Sequence, residues 1–313
     1  MKRPDHSERG LAMLATLLAV ALMMVLVMDF AYSATAGFRA AANQMNELRA
    51  DYLARSGVQV GLGLLSQDAR NDALSQQAYD GLDEMWATPF PPLPVEGGTA
   101  SVTIVDETRK LDINQLVNPA NGTPNPAFAA ILARLFELMG VSPDILPALI
   151  DWLDPDSTPV EGGAEADYYL RLIPPYEPRN GLMPTIADLR MVRGVDDATF
   201  IRLAQDLTTA PNTKVNINTA SPEVLMAMLP QLANQTSILQ AILAGRPYRT
   251  LGDLNNVSGF AAIAKNSQSL FTTQSDYFTI TGVGNFAGAR TFAYATVRRN
   301  GVGPMLLSYW HED

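Results

Sequence analysis

The chain has 313 residues, of which 47% are hydrophobic and 17% charged, with a formal net charge of −10 and no cysteine. Such a length suggests about two domains, and the composition can bury a core, which excludes a disordered tail. The acidic balance argues against sequence-independent nucleic-acid binding, which needs Lys and Arg to neutralise phosphate; without cysteine there is neither a disulfide nor a thiolate metal site, so an exported domain would rely on its core and on hard cations.

At the N-terminus, Lys2, Arg3 and Arg9 precede Gly10, and Leu11 to Met28 carry no charge. At about 18 residues this stretch is long enough to span a bilayer core. It does not end in the small-residue cleavage site and polar chain of a secretory signal. Beyond Asp29 come Ala31, Ala34, Ala36 and Ala40, then Met45, Leu48, Tyr52 and Leu53, with no proline before Pro89. Strong helix formers with apolar residues three and four apart predict one helix to about residue 68, roughly 90 Å long. The basic leader places the N-terminus in the cytoplasm and the bulk of the chain outside, as a single-pass inner-membrane protein. A short basic leader ending in Gly before such a helix resembles the type IV prepilin and pseudopilin class, which puts processing between Gly10 and Leu11. The alternative is a signal anchor kept intact. The expected layout is a leader over 1–10, a transmembrane part over 11–30, and a helix continuation with the first strand over 31–110.

Pro89, Pro91, Pro92 and Pro94, followed by Gly97 and Gly98, read as a stiff turn that ends the helical region. Thr99 to Val105 alternates as a strand does. Tyr277 to Thr281, Thr291 to Arg298 and Met305 to Trp310 are predicted strands, separated by Gly282, Gly284, Gly288, Gly301 and Gly303. Together they predict an antiparallel meander completed over 275–313. Residues 111–274 between the strand groups read as a helical insertion, and it contains a repeat. Leu111-Asp112-Ile113-Asn114 matches Val215-Asn216-Ile217-Asn218 at an offset of 104, and Thr185 to Gly194 matches Thr250 to Gly259 at an offset of 65. The first copy, over 111–210, therefore carries 39 more residues than the second, over 214–274, and its loop at 151–180 is the expected place for most of them. Val215 to Leu225 resembles the opening of a helix-hairpin-helix unit, with Ser221 as N-cap and Pro222 as first helical residue. The hairpin Leu229 to Gln235 lacks the glycines that let backbone N–H groups approach phosphate, so DNA binding is not expected.

The stretch from Asp151 to Tyr169 holds Asp151, Asp154, Asp156, Glu161, Glu165 and Asp167 and no basic residue. Such density repels itself unless solvated or neutralised. Counted from Asp154, the oxygen-bearing positions of an EF-hand fall on Asp154, Asp156, Thr158 and Glu165, but Pro159 stands where that loop needs glycine. An irregular calcium shell, with these six carboxylates as candidate ligands, is the expectation against a plain solvated loop. Catalysis is not expected: no nucleophile elbow, zinc-binding helix or Walker loop occurs, and the body between His6 and His311 contains no histidine.

Taken together, the Arg9-Gly10-Leu11 junction, the acidic tract ending in Tyr168-Tyr169, the Thr185 to Gly194 element and Val215 to Leu225 resemble the K family of type II secretion minor pseudopilins. The resemblance implies an α+β, type IV pilin-like fold: a long N-terminal transmembrane helix packed on an antiparallel sheet, with an inserted α-helical domain of two helix-hairpin-helix, SAM-like repeats. It also implies cleavage and N-methylation by a prepilin peptidase, calcium in the inserted domain, and assembly with minor pseudopilins I, J and H at the tip of a periplasmic pseudopilus. Ala15 stands where most pilins place the Glu that pairs with a neighbour's N-terminal amine. A carboxylate at that depth costs about 2.5–3.5 kcal/mol unless paired, so its absence suits a subunit with no neighbour above it. A membrane-anchored DNA receptor and an anchored enzyme are the readings of other classes.

Overall fold

The computed structural model describes residues 6–75, 78–263, 269–299 and 306–312. Helix α1, His6–Ser75, is one unbroken element of 70 residues, about 105 Å long. It runs past the predicted end near residue 68, because Asp68 is tied to Arg299 and the last turns are held by side-chain bonds among Gln67, Arg70 and Asn71. Its apolar first half is exposed throughout, whereas Ala50, Ala54, Val58, Leu65 and Ala69 form a buried stripe at helical spacing along the second half.

The proline-rich connection is more than a turn. A 3-10 turn at Met85–Ala87 buries Trp86 edge-on against Phe278, with ring centroids 5.1 Å apart. Strand β1, Leu93–Val95, then pairs with β2, Gly98–Asp106, correcting the reading of this segment as connection alone. β1 is an edge strand, where Pro94 need not donate.

The inserted domain follows in two copies. The first comprises β3 (Leu111–Asp112), α2 (Pro126–Leu138), α3 (Leu146–Leu153), α4 (Ala166–Tyr169), α5 (Asp197–Asp206) and β4 (Leu207–Thr208), with β4 parallel to β3. The second comprises β5 (Val215–Asn216), α6 (Pro222–Met228), α7 (Thr236–Ala244), α8 (Phe260–Ile263) and β6 (Phe271–Thr272), with β6 parallel to β5. Each copy is thus closed by a two-residue ladder between its ends, a feature too short to show in periodicity. Inside, one buried asparagine does the same task twice. Asn114 donates to the Met183 carbonyl at 3.0 Å and accepts from the Met183 N–H at 2.8 Å. Asn218 bonds Tyr248 in the same way, at 2.9 and 2.7 Å. The partners are related by the offsets of 104 and 65 found in the sequence. Residues 154–182 stand between α3 and Met183 where only 245–247 stand between α7 and Tyr248. Ser221 caps α6 by accepting from the Val224 N–H at 3.1 Å, and both copies share one apolar core that includes Phe136, Leu149, Leu203, Leu225 and Ile242.

The chain then returns to the sheet through β7 (Tyr277–Phe286), β8 (Ala289–Arg298) and β9 (Leu306–Glu312), giving five antiparallel strands in the order β1-β2-β7-β8-β9. Ala287 and Gly288, both at positive φ, form the two-residue turn between β7 and β8. Gly282 and Gly284, expected in a connection, lie inside β7. The reason is α1: a Cβ at Gly284 would sit 1.8 Å from the Ala50 carbonyl oxygen, and one at Gly282 would sit 2.0 Å from that of Ala54. The long helix lies on the sheet almost backbone to backbone, the pilin layout. Gly301, Gly303 and Met305 fall outside the described residues.

Candidate metal centre in the acidic loop

The loop after α3 folds back on itself so that carboxylates distant in sequence converge. Asp151, in the last turn of α3, is fully buried; its Oδ1 accepts the Val160 N–H at 3.0 Å. Gly163 makes this return possible, since a Cβ there would meet Asp151 Oδ2 at 1.9 Å. Asp154, Asp156 and Glu165 each bring a carboxylate oxygen within 4.8 Å of the others. Asp154 and Glu165 are buried and Asp156 is exposed. Beneath them Trp152 and Tyr169 pack edge-on at 5.3 Å, and the Arg193 N–H donates to the Tyr169 hydroxyl at 3.2 Å, which anchors the floor.

The buried oxygens are left without partners. Asp151 Oδ2, Asp154 Oδ1 and both oxygens of Glu165 make no hydrogen bond, nor does Asn180 Oδ1. A buried, unpaired carboxylate costs several kcal/mol, which a cation repays or a proton avoids. Burial pushes Glu165 up to about 7, helped by the charges of Asp151, Asp154 and Asp156. Asp154 is pushed up to about 6 by burial and then by Asp156 and Asp151, and Asp151 is raised by burial. The convergent oxygens of Asp154, Asp156 and Glu165, with further unsatisfied oxygens on Asp151 and Asn180 in the same loop, fit a hard cation with an oxygen shell, and Ca²⁺ takes six to eight.

Of the six predicted ligands, Asp154, Asp156 and Glu165 come together with Asp151 behind them. Glu161 and Asp167 are exposed and outside the group; Asp167 instead sits in the first turn of α4. Asn180 is the participant that sequence reasoning missed. Held at φ 46, it donates from Nδ2 to the Asp156 carbonyl at 2.6 Å and leaves its Oδ1 facing inward. Its one local signal is an Asn before Gly181, a pair suited to the left-handed region.

The expected processing residues are on another element, α1. Gly10 and Leu11 are exposed in the first turns of α1, and among the described residues no neighbour lies within 4 Å of where a Gly10 Cβ would be.

Two family models, both described as protein K of the type II secretion system, match residues 109–212 and 215–274. Among curated proteins, the chain is 30% identical over 229 residues to type II secretion system protein K of Pseudomonas aeruginosa, covering 71% of this chain and 68% of that one. It is 29% identical over 253 residues to the protein K of Klebsiella pneumoniae, covering 76% of each. Among solved structures, a chain of the GspK-GspI-GspJ complex from enterotoxigenic Escherichia coli superposes with a TM-score of 0.72 at 20% identity, covering 88% of this chain and 99% of that one. This last likeness establishes the fold.

Proposed function

The chain belongs to the type II secretion system protein K family, and from that premise we propose that it is a non-catalytic minor pseudopilin that caps the periplasmic pseudopilus together with minor pseudopilins I, J and H. The observation that carries this reading is α1. Its first half exposes Leu14, Leu17, Leu18, Leu22 and Val25 along a membrane-length apolar surface, while its second half is sealed by the chain's own sheet. A bare helix joined to a completed pilin head suits insertion in a membrane and packing against other helices, which proceeds by close contact of small residues such as Ala12, Ala15 and Ala19. Ala15 and the bulk of the inserted domain support a position with no subunit above.

The test is co-purification of the detergent-solubilised chain with the neighbouring I, J and H proteins, with cross-linkers placed along α1. Cross-links to I and J are expected. Abundant cross-links to the major pseudopilin on both faces would put the protein in the shaft instead. Calcium in the Asp151–Glu165 centre, with Asn180 as a further ligand, belongs to the same reading, as a strut for the inserted domain.

Processing between Gly10 and Leu11 also follows. Among the described residues nothing occupies the space a Gly10 side chain would fill, so a requirement for glycine there would come from a peptidase that fits the backbone closely. Gly10→Leu is expected to block processing without altering the fold. Mass spectrometry of the purified protein should find mature wild type beginning at a methylated Leu11 and the variant keeping Met1; an intact Met1 in wild type with peptidase present would defeat this.

A further inference from the structure

The place where the inserted domain joins the pilin body is built around one buried arginine. Arg299, just past β8, donates from Nη1 to Asp68 at 2.7 Å, from Nη2 to both oxygens of Asp80, and from Nη2 to the Ser275 carbonyl at 3.2 Å. Glu84 completes the cluster: carboxylate oxygens of Asp68, Asp80 and Glu84 lie within 4.8 Å of one another. Glu84 accepts from the Gly81 N–H at 3.0 Å and from Trp86 Nε1 at 2.9 Å, and its carboxyl lies beside that of Asp68. Three carboxylates around one guanidinium leave two negative charges without a cation, and two carboxyls this close relieve one of them by holding a proton between them.

The cluster holds the exit of the inserted domain. The Asp80 N–H donates to the Thr273 carbonyl at 2.8 Å, the Ser275 N–H donates to Asp80 Oδ2 at 2.7 Å, and the Arg299 N–H donates to the Asp276 carbonyl at 2.8 Å. Asp106, at the end of β2, accepts from the hydroxyls of Ser275 and Thr219, each at 2.6 Å. Helix α1, the 78–88 segment, the sheet and the second repeat therefore meet at one buried polar point.

We propose that this junction is a proton-operated latch: the proton held between Asp68 and Glu84 keeps the inserted domain locked to the pilin body through Arg299, and its loss loosens the two. The sign follows from linkage. Burial pushes Glu84 up to about 8, and it pushes Asp80 up to about 7 even against Arg299. A carboxyl raised in the folded state stabilises that state while protonated; the contribution is complete below the ordinary carboxylate value and is lost as pH rises from there through the raised value, a loss that is complete here above about 8. Groups on the surrounding elements act in the same direction or stay silent. Asp72 on α1 is pushed up to about 6 by burial and by Asp68, and so adds negative charge above that pH. Asp106 is a buried carboxyl raised by burial and held by donors rather than a cation. Tyr79, raised to about 12 by burial and Asp83 against the pull of Arg249, remains neutral throughout.

The experiment is amide hydrogen exchange on the detergent-solubilised full chain at pH 6 and pH 9, corrected for the intrinsic pH dependence of exchange. Protection of the Asp80, Ser275 and Arg299 amides is expected to fall by about tenfold or more across this range, while that of Tyr248, held by Asn218, stays constant. Glu84→Gln keeps the acceptor for Gly81 and Trp86 and can donate to Asp68 without titrating, so the fall in protection at the three amides should be several-fold smaller than in wild type, the remainder being that of Asp80 and Asp72. Asp68→Asn should behave alike and serves if the first variant does not fold. Unchanged protection in the wild type would overturn the proposal, as would a wild-type fall in both variants. Recovery of protection at pH 9 on adding millimolar calcium would also overturn it, because the cluster would then be a cation site rather than a proton latch.

Discussion

Chelation of divalent cations is expected to lower the melting temperature of the protein by roughly 5–10 °C, and calcium to restore it. A ligand that binds the native state alone adds RT ln(1 + [L]/Kd), about 2.7 kcal/mol at a hundredfold excess. One kcal/mol moves the midpoint of a domain of this size by roughly 2–4 °C. The expectation rests on the oxygens of Asp151, Asp154, Glu165 and Asn180 that are buried and unbonded. The double variant Asp154→Ala, Glu165→Ala should be insensitive to both reagents. It should also be no less stable than wild type in chelator, since it removes two buried groups that have no partner there. A wild-type melting curve that is the same in chelator and in millimolar calcium would rule out the metal. A variant that melts well below chelated wild type would show that the carboxylates serve the loop by direct bonding instead.

Gly284→Val should be the most damaging single substitution in the pilin body, at about 3 kcal/mol or more. The new Cβ would meet the Ala50 carbonyl oxygen at 1.8 Å and the Ala54 nitrogen at 2.6 Å. Both are backbone atoms of a helix, so neither can swing aside. α1 would have to lift from the sheet, exposing the apolar seam of Ala54, Val58 and Leu65 against Val102, Phe278 and Ile280. Gly63→Ala is the control on the same helix, because no atom lies within 4 Å of its Cβ position. It should be neutral or stabilising by up to about 1 kcal/mol through helix propensity alone. Denaturant midpoints of the two variants in detergent decide the matter, and equal midpoints would mean that the helix is not seated on β7 as described.

How much of this was legible beforehand depends on the range over which the cause acts. The repeat in the inserted domain is readable because Asn114 and Asn218 do the same task in both copies, bonding Met183 and Tyr248, so the same residue recurs at the same place in each. The acidic loop was readable as a place, since like charges crowd within a short stretch, but not as a geometry. Glu161 and Asp167 are as acidic as Asp154 and Glu165, and only the return of the chain over Gly163 separates those that converge from those that face solvent. Asn180 escaped notice because its role depends on a contact with Asp156 across the loop. Gly282 and Gly284 were misplaced for the opposite reason. Glycine weakens a strand locally, so two of them read as a connection, and their purpose is visible only once α1 lies over β7.

By itself, the sequence determined what needs no partner to be expressed. The apolar helix follows from length and propensity, the alternating strands from their period, the helix start at Ser221 from its capping oxygen, and the twofold copy from its own repetition. Tertiary structure decided everything that depends on two distant segments meeting. It carried α1 on to Ser75, turned a proline segment into an edge strand, and closed each repeat with a two-residue ladder. It also gathered Asp68, Asp80 and Glu84, which are unremarkable in sequence, around a single Arg299. The physical reason is that helix and strand preferences are summed over neighbours along the chain, whereas steric fit, desolvation and charge pairing depend on separation in space.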